Sequence, residues 1–123
     1  MGKVVAVIGA STDRRKFGNK AVRAFRQAGY DVVPINPAHA EVEGLHTYGS
    51  VLDVPREIDM ATVYVPPDTA LRLMPELARK GIGEVWLNPG ADDDEVIDEG
   101  RRLGLKIIVA CSIVGTGQRP SDF

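Results

Sequence analysis

Val4-Val5-Ala6-Val7-Ile8-Gly9-Ala10-Ser11-Thr12-Asp13-Arg14-Arg15-Lys16-Phe17-Gly18 is the stretch that decides how the rest of the chain is read. Its first five residues are apolar and mostly Val and Ile. That run predicts a parallel strand buried on both faces. Gly9 follows at once, where the chain turns tightly and leaves backbone N–H groups bare. A helix beginning just beyond adds the positive end of its dipole. Arg14, Arg15 and Lys16 add charge. The expectation is an anion site, with Gly9, Ala10, Ser11, Thr12, Arg14, Lys16 and Gly18 as the candidate ligand-binding residues of the loop. The competing reading is a surface turn with incidental basic residues.

The glycine spacing is informative by what it is not. In the dinucleotide fingerprint G-x-G-x-x-G, Ser11 would stand in the second glycine's place and Arg14 in the third's. No Gly-Lys-Ser/Thr follows, so it is not a Walker A loop either. A longer loop between Gly9 and Gly18 remains, able to wrap phosphates. In it the Ser11 hydroxyl and backbone donors reach the oxygens, and Lys16 neutralises charge.

Working outward, strand-like runs recur at Val32–Ile35, Ala61–Val65, Val85–Leu87 and Ile107–Ala110. Between them lie helical faces. Ala21, Val22, Phe25 and Ala28 end at Gly29; Leu73, Met74, Leu77 and Ala78 end at Gly81; Val96, Ile97, Gly100 and Leu103 end at Gly104. Asp92–Glu95 opens the third of these helices and Arg101-Arg102 closes it, matching the dipole; capping explains the acids better than a metal cluster does. Pro75 falls inside the second pattern, which predicts a loose first turn over Asp68–Arg72 and a kink or fresh start near Leu73. Gly44–Tyr48 is expected as a short edge strand and Ser50–Asp53 as a single turn. Ser112–Phe123, polar and Gly-rich, is expected to be a flexible tail.

Alternating strands and helices imply an α/β fold: a Rossmann-like, doubly wound parallel sheet in a single three-layer α/β/α domain spanning residues 1–123. The simplest strand order is 3-2-1-4-5. Such a sheet lines up Gly9, Asn36, Val65, Asn88 and Ala110 along one edge. Ligands bind outside that edge, at the switch point between the first strand and the one ending at Val65.

With 123 residues the chain makes one domain, and 44% hydrophobic with 26% charged residues is ordinary for a globular protein. A net charge of -2 argues against general nucleic-acid binding while leaving room for one small phosphorylated ligand. The apolar runs are strand-sized, so no membrane span is expected. One cysteine excludes an internal disulfide and a cysteine-rich metal site. The early first strand leaves no signal peptide, and a cytoplasmic location is the expectation.

Other motifs fall on the same edge. Asn36-Pro37 stands where NAD-binding folds place an acid for the ribose, which weakens NAD as the ligand. Val65-Pro66 is a wall or backbone ledge. Asn88-Pro89-Gly90 offers an amide and a close backbone approach, although a rigid turn explains it nearly as well. His39 and His46 have no matched Ser and Asp, read as exposed or edge histidines, and complete no triad. Cys111 follows the last strand near the ligand edge, either reactive or a buried structural thiol.

Taken together, Gly9-Ala10-Ser11 with Lys16 and Gly18, Pro34-Ile35-Asn36-Pro37, Val65-Pro66-Pro67 and Val85-Trp86-Leu87-Asn88-Pro89-Gly90 resemble the small stand-alone CoA-binding domain proteins. These are similar to the nucleotide-binding domain of the succinyl-CoA synthetase alpha chain and of NDP-forming acyl-CoA synthetases. The resemblance covers about residues 3–111. It implies coenzyme A or an acyl-CoA as a small-molecule ligand at the sheet edge. Gly9, Ser11, Lys16 and Gly18 would hold phosphates, and Asn36 and Pro37 would border the nucleotide. Val65 and Pro66 would line the adenine or pantetheine path, with Asn88 and Gly90 flanking the rest. Many relatives carry Phe-Arg where Tyr64-Val65 stand, and Glu-His after the cysteine, where this chain has Ser112-Ile113. The synthetases' phosphorylated histidine comes from a further domain. The expectation is therefore CoA binding without autonomous catalysis, with no catalytic or metal-binding residue. The alternatives are a small NAD(P)-binding oxidoreductase, an accessory part of an acyl-CoA ligase, and a regulatory or scaffold protein with a vestigial pocket.

Overall fold

Val4–Ile8 (β1) is buried at every residue, because it has a strand on each side and helices on both faces. The computed structural model describes residues 3–123. After β1 come α1 (Phe17–Gln27), β2 (Asp31–Ile35), a small hairpin of β3 (Glu41–Val42) and β4 (Leu45–His46), and a 3-10 turn at Val51–Asp53. Then follow β5 (Met60–Val63), α2 (Pro67–Lys80), β6 (Glu84–Leu87), α3 (Asp94–Arg102), β7 (Lys106–Val109), α4 (Ser112–Gly115) and a last 3-10 turn at Pro120–Asp122.

The main sheet runs β2-β1-β5-β6-β7, with every pair parallel. Alternation along β1 divides the core into two layers. Val5 and Val7 pack with Val22, Phe25 and Ile113 under α1 and α4. Val4, Ala6 and Ile8 pack with Met74, Leu77 and Val96 under α2 and α3. The fold is thus the expected Rossmann-like α/β sandwich of three layers.

The strand order differs in one place from the simplest expectation. The position outside β2 is held by Tyr48 alone, in a single parallel bridge to Ile35. Counting sheet strands only, the order is 2-1-3-4-5. Pro34 contributes to this: it brings no N–H to the outer edge of β2, and only its carbonyl accepts from the Tyr48 N–H, at 3.1 Å. The switch point is unaffected, because β1 and β5 are neighbours either way.

Two further expectations are corrected. Helix α2 runs unbroken from Pro67 through Pro75. Pro67 at the first helical position suits its fixed φ. Pro75 is exposed, so water can reach the unpaired Leu71 carbonyl four residues back, while buried Met74 and Leu77 hold the helix to the sheet. Residues 112–123 pack against α1 and do not form a loose tail. Ile113 is fully buried, the Gln118 amide donates to the Ala24 carbonyl at 2.9 Å, and Arg23 donates to the Phe123 carbonyl at 2.8 Å. Among the described residues no helix is long and apolar enough to cross a membrane.

Candidate functional site

The chain leaves β1 toward α1 on one face of the sheet and leaves β5 toward α2 on the other. The two connections diverge, and a cleft opens between them, the expected result at a switch point. Its volume is about 520 Å³. Gly9, Ser11, Lys16 and Gly18 form one wall, and Val65 and Pro66 the other, with Asn36 and Gly90 at the two ends. Eight of the residues expected from sequence therefore meet in one place.

Two glycines make that meeting possible. Gly9 has φ +88°, and a Cβ there would lie 3.0 Å from both the Tyr64 carbonyl oxygen and Val65 Cγ1. A Cβ on Gly18 would run into the Gly9 carbonyl oxygen. The start of α1 thus lies directly on the turn after β1. The N–H groups of Gly9 and Ala10 both donate to the Ile35 carbonyl, at 3.0 and 3.3 Å. Those of Ser11, Thr12, Phe17 and Gly18 have no acceptor among the described residues and are available to an anion.

The loop between the glycines is held from behind. Asn19, fully buried on α1, donates to the Ser11 carbonyl at 2.8 Å, and Arg23 donates to the Arg14 carbonyl at 2.7 Å. Asp13 accepts from the Arg15 side chain and from the Arg15 backbone N–H. The Arg15 guanidinium, then the Arg15 backbone N–H, hold the Asp13 carboxyl at about 2, below its ordinary 3.8. A depressed carboxylate stabilises the fold above its unfolded value and loses that contribution as pH falls through its folded one. The stability Asp13 lends the loop is accordingly expected to be lost as pH falls from 3.8 to about 2, and the carboxyl carbon shift in an NMR titration of the folded protein is expected to have its midpoint near 2.

The basic residues separate into two kinds. Arg15 is taken by Asp13 at 3.1 Å, and Arg14 lies 3.7 Å from Glu43. Lys16, exposed at the N-cap of α1, has no ion pair or side-chain hydrogen bond among the described residues and lines the cleft. Arg14, Thr12, Ala10 and Pro37, all expected at the site, do not line it. Ala10 is buried under α1, its carbonyl accepting from Asn36 Nδ2 at 2.8 Å. Thr12 and Arg14 lie on the solvent side of the loop, and Pro37 is exposed beyond β2. Asn36 borders the cleft with its amide already spent on Ala10 and on the Ala38 N–H.

A second pocket of about 220 Å³ shares Phe17, Tyr64 and Pro89 with the cleft and adds Asn88, Cys111 and Pro120. Cys111 is half-buried there. Asn88 is 1% exposed and works inward: Nδ2 donates to Thr62 Oγ1 at 2.6 Å and to the Val63 carbonyl at 3.0 Å, and Oδ1 accepts from the Ser112 N–H at 2.8 Å. Burial pushes the Tyr64 phenol up from its ordinary value, so Tyr64 is protonated at neutral pH.

Sequence reasoning missed several lining residues. Phe17, 52% exposed, stands at the mouth of both pockets. His39, read as an edge histidine, is half-buried in the cleft wall. Asn19 had one usable signal, a polar side chain on the buried face of a helix.

A parallel α/β sheet, a glycine turn bearing free N–H groups and one unpaired lysine make an arrangement that suits an anionic ligand. Residues 3–116 match the family described as CoA binding domain, and the chain belongs to that family. It is 32% identical over 116 residues to the acetate–CoA ligase [ADP-forming] I of Archaeoglobus fulgidus, an alignment covering 86% of this chain and 17% of the ligase. A conserved hypothetical protein of Pyrococcus furiosus superposes with a TM-score of 0.83 at 30% identity, covering 94% of this chain and 99% of that one. The dinucleotide-forming acetyl-coenzyme A synthetase 1 of Ca. Korarchaeum cryptofilum gives a TM-score of 0.76 at 28% identity, over 88% of this chain and 26% of the synthetase. The chain thus spans about a sixth to a quarter of these long enzymes.

Proposed function

We propose that the chain binds CoA or an acyl-CoA as a reversible ligand and carries out no chemistry on its own. The observation that carries this reading is the cleft wall of Gly9, Ser11, Lys16 and Gly18. It offers free backbone donors and one unpaired ammonium to a pyrophosphate, where the glycines let the ligand approach the backbone. The nucleotide end then lies toward Asn36 and His39, and the pantetheine arm passes along Val65 and Pro66 toward the second pocket. Asn36 in place of an acid disfavours NAD. Among the described residues no three His, Cys, Asp or Glu side chains gather as a metal site.

A second reading draws on the relatives. The long relatives carry this region as a small part of a ligase. That favours an accessory role, in which this chain presents CoA to a partner bearing the catalytic groups.

Calorimetry with CoA and NAD tests the ligand class, with tighter binding of CoA expected; tighter NAD binding refutes it. Lys16→Ala removes a charge-assisted contact worth about 1.5–3 kcal/mol. The expected loss of CoA affinity is about tenfold or more, with an unchanged melting temperature, since Lys16 is exposed. Unchanged affinity would move the phosphate role to another group.

A further inference from the structure

The hydrogens of one buried hydroxyl chain can be assigned from geometry alone. The Ser112 backbone N–H donates to Asn88 Oδ1 at 2.8 Å, which fixes the orientation of that amide. Asn88 Nδ2 therefore faces Thr62 Oγ1, at 2.6 Å, and Thr62 accepts there. Thr62 must dispose of its own hydrogen. Its best-placed acceptor is Ser112 Oγ, at 2.6 Å. The Ser112 hydrogen then has a single acceptor left, Tyr64 Oη at 2.9 Å. Any other arrangement strands a hydrogen on Thr62 or Ser112, which are 0% and 2% exposed, or moves the Thr62 hydrogen onto its poorer contact with Tyr64. A stranded donor there bears its full desolvation cost. The chain thus runs one way, from Asn88 through Thr62 and Ser112 to Tyr64.

The hydrogen of Tyr64 is the one the protein does not use. Tyr64 is only partly buried and borders both the cleft and the second pocket. Its hydroxyl end meets Ser112, whose neighbour Cys111 and partner Asn88 line that second pocket. The other lining groups, Phe17, Pro89 and Pro120, are apolar. A hydroxyl donor beside a small, almost wholly apolar pocket matches a carbonyl followed by an alkyl chain. A volume of about 220 Å³ is below that of sites holding drug-sized ligands, so the chain is short.

We propose that the second pocket is an acyl subsite, in which Tyr64 Oη donates to the carbonyl oxygen of a short-chain acyl thioester. This rests on the CoA reading and names the ligand class within it: acyl-CoA, distinguished from free CoA by its carbonyl. Tyr64 is a specificity-determining residue, and Asn88, Thr62 and Ser112 are positioning residues that aim its hydrogen outward.

Calorimetry with CoA, butyryl-CoA and S-butyl-CoA separates the two readings, because the thioether keeps the alkyl chain and lacks the carbonyl. The protein is expected to bind butyryl-CoA about fivefold more tightly than S-butyl-CoA. In Tyr64→Phe that ratio falls to about one. Failure of CoA itself to bind overturns the CoA reading and this one together. Binding of CoA without a butyryl preference, or a ratio that survives in Tyr64→Phe, overturns only the acyl subsite. An equal drop for all three ligands assigns the donor to a pantetheine amide and overturns it too. Should Tyr64→Phe fold poorly, infrared spectra of carbonyl-13C butyryl-CoA bound to the unaltered protein decide. The C=O stretch moves to lower frequency if Tyr64 donates, and an unshifted band refutes the assignment.

Discussion

Gly18→Ala is expected to destabilise the fold by about 3 kcal/mol, near the upper end of what overpacking costs. The added Cβ meets the Gly9 carbonyl oxygen, and neither side can yield easily. Gly9 directly follows β1, a strand paired on both sides, and the Gly9 N–H is tied to the Ile35 carbonyl at 3.0 Å. The strain must be relieved at the start of α1, whose buried Ala21, Val22 and Phe25 resist movement. For a chain of this length such a loss lowers the melting temperature by about 10 °C. Affinity for CoA should fall as well, because Lys16 and the free N–H groups of Phe17 and Gly18 move with the helix end. Thermal melting and calorimetry on the same sample check both effects. An unchanged melt would show that α1 shifts without cost, and the close approach would then not be what shapes the site.

The features that could be read from sequence are those with local causes. The Val4–Ile8 run, the turn at Gly9 and the end of α2 at Gly81 follow from period, sterics and capping within a few residues. The edge along which Gly9, Asn36, Val65, Asn88 and Ala110 line up then follows from the parallel topology. What escaped was set by contacts distant in sequence. Ser112–Phe123 is polar, yet Ile113 anchors it, and Gly115 lies so close to the Trp86 ring that a Cβ would come within 2.8 Å of it. No window along the chain contains both residues. Arg14 and Lys16 read alike in sequence, but Glu43, folded back on the β3–β4 hairpin, takes one and leaves the other. Phe17 and His39 were unremarkable by pattern and became wall residues once α1 and β2 were side by side. Pro75 erred the other way: a strong local rule was overridden because its side of α2 is exposed.

Asn88 shows how far such distant contacts matter, and its replacement carries the largest expected effect. Asn88→Leu keeps the approximate size and removes every hydrogen bond of the side chain. The Ser112 N–H loses its acceptor, and Thr62 Oγ1 and the Val63 carbonyl lose a donor. The Ser112 N–H left unpaired costs about 1–3 kcal/mol and each of the two other lost bonds about 0.5–1.5 kcal/mol, so a total of about 3–5 kcal/mol is expected. That is a large part of the stability of an ordinary domain, about 5–15 kcal/mol. The start of α4 should loosen with it, and Cys111, next to Ser112, should be alkylated faster. Asn88→Asp distinguishes lost bonds from lost packing. A neutral carboxyl still accepts from the Ser112 N–H and donates to Thr62, whereas a carboxylate faces the Val63 carbonyl without a donor between them. Burial and that carbonyl raise the folded-state pKa above the unfolded value of about 3.9. Above that unfolded value the folded state holds more protons, so stability falls as pH rises until the folded-state pKa is passed. The Asp variant is therefore expected to melt close to the unaltered protein near pH 4 and well below it at pH 7. The gap for the Leu variant should not depend on pH. Parallel melting curves for the Asp variant across that range would mean that water reaches the Asn88 position, and the hydroxyl chain ending at Tyr64 would lose its anchor.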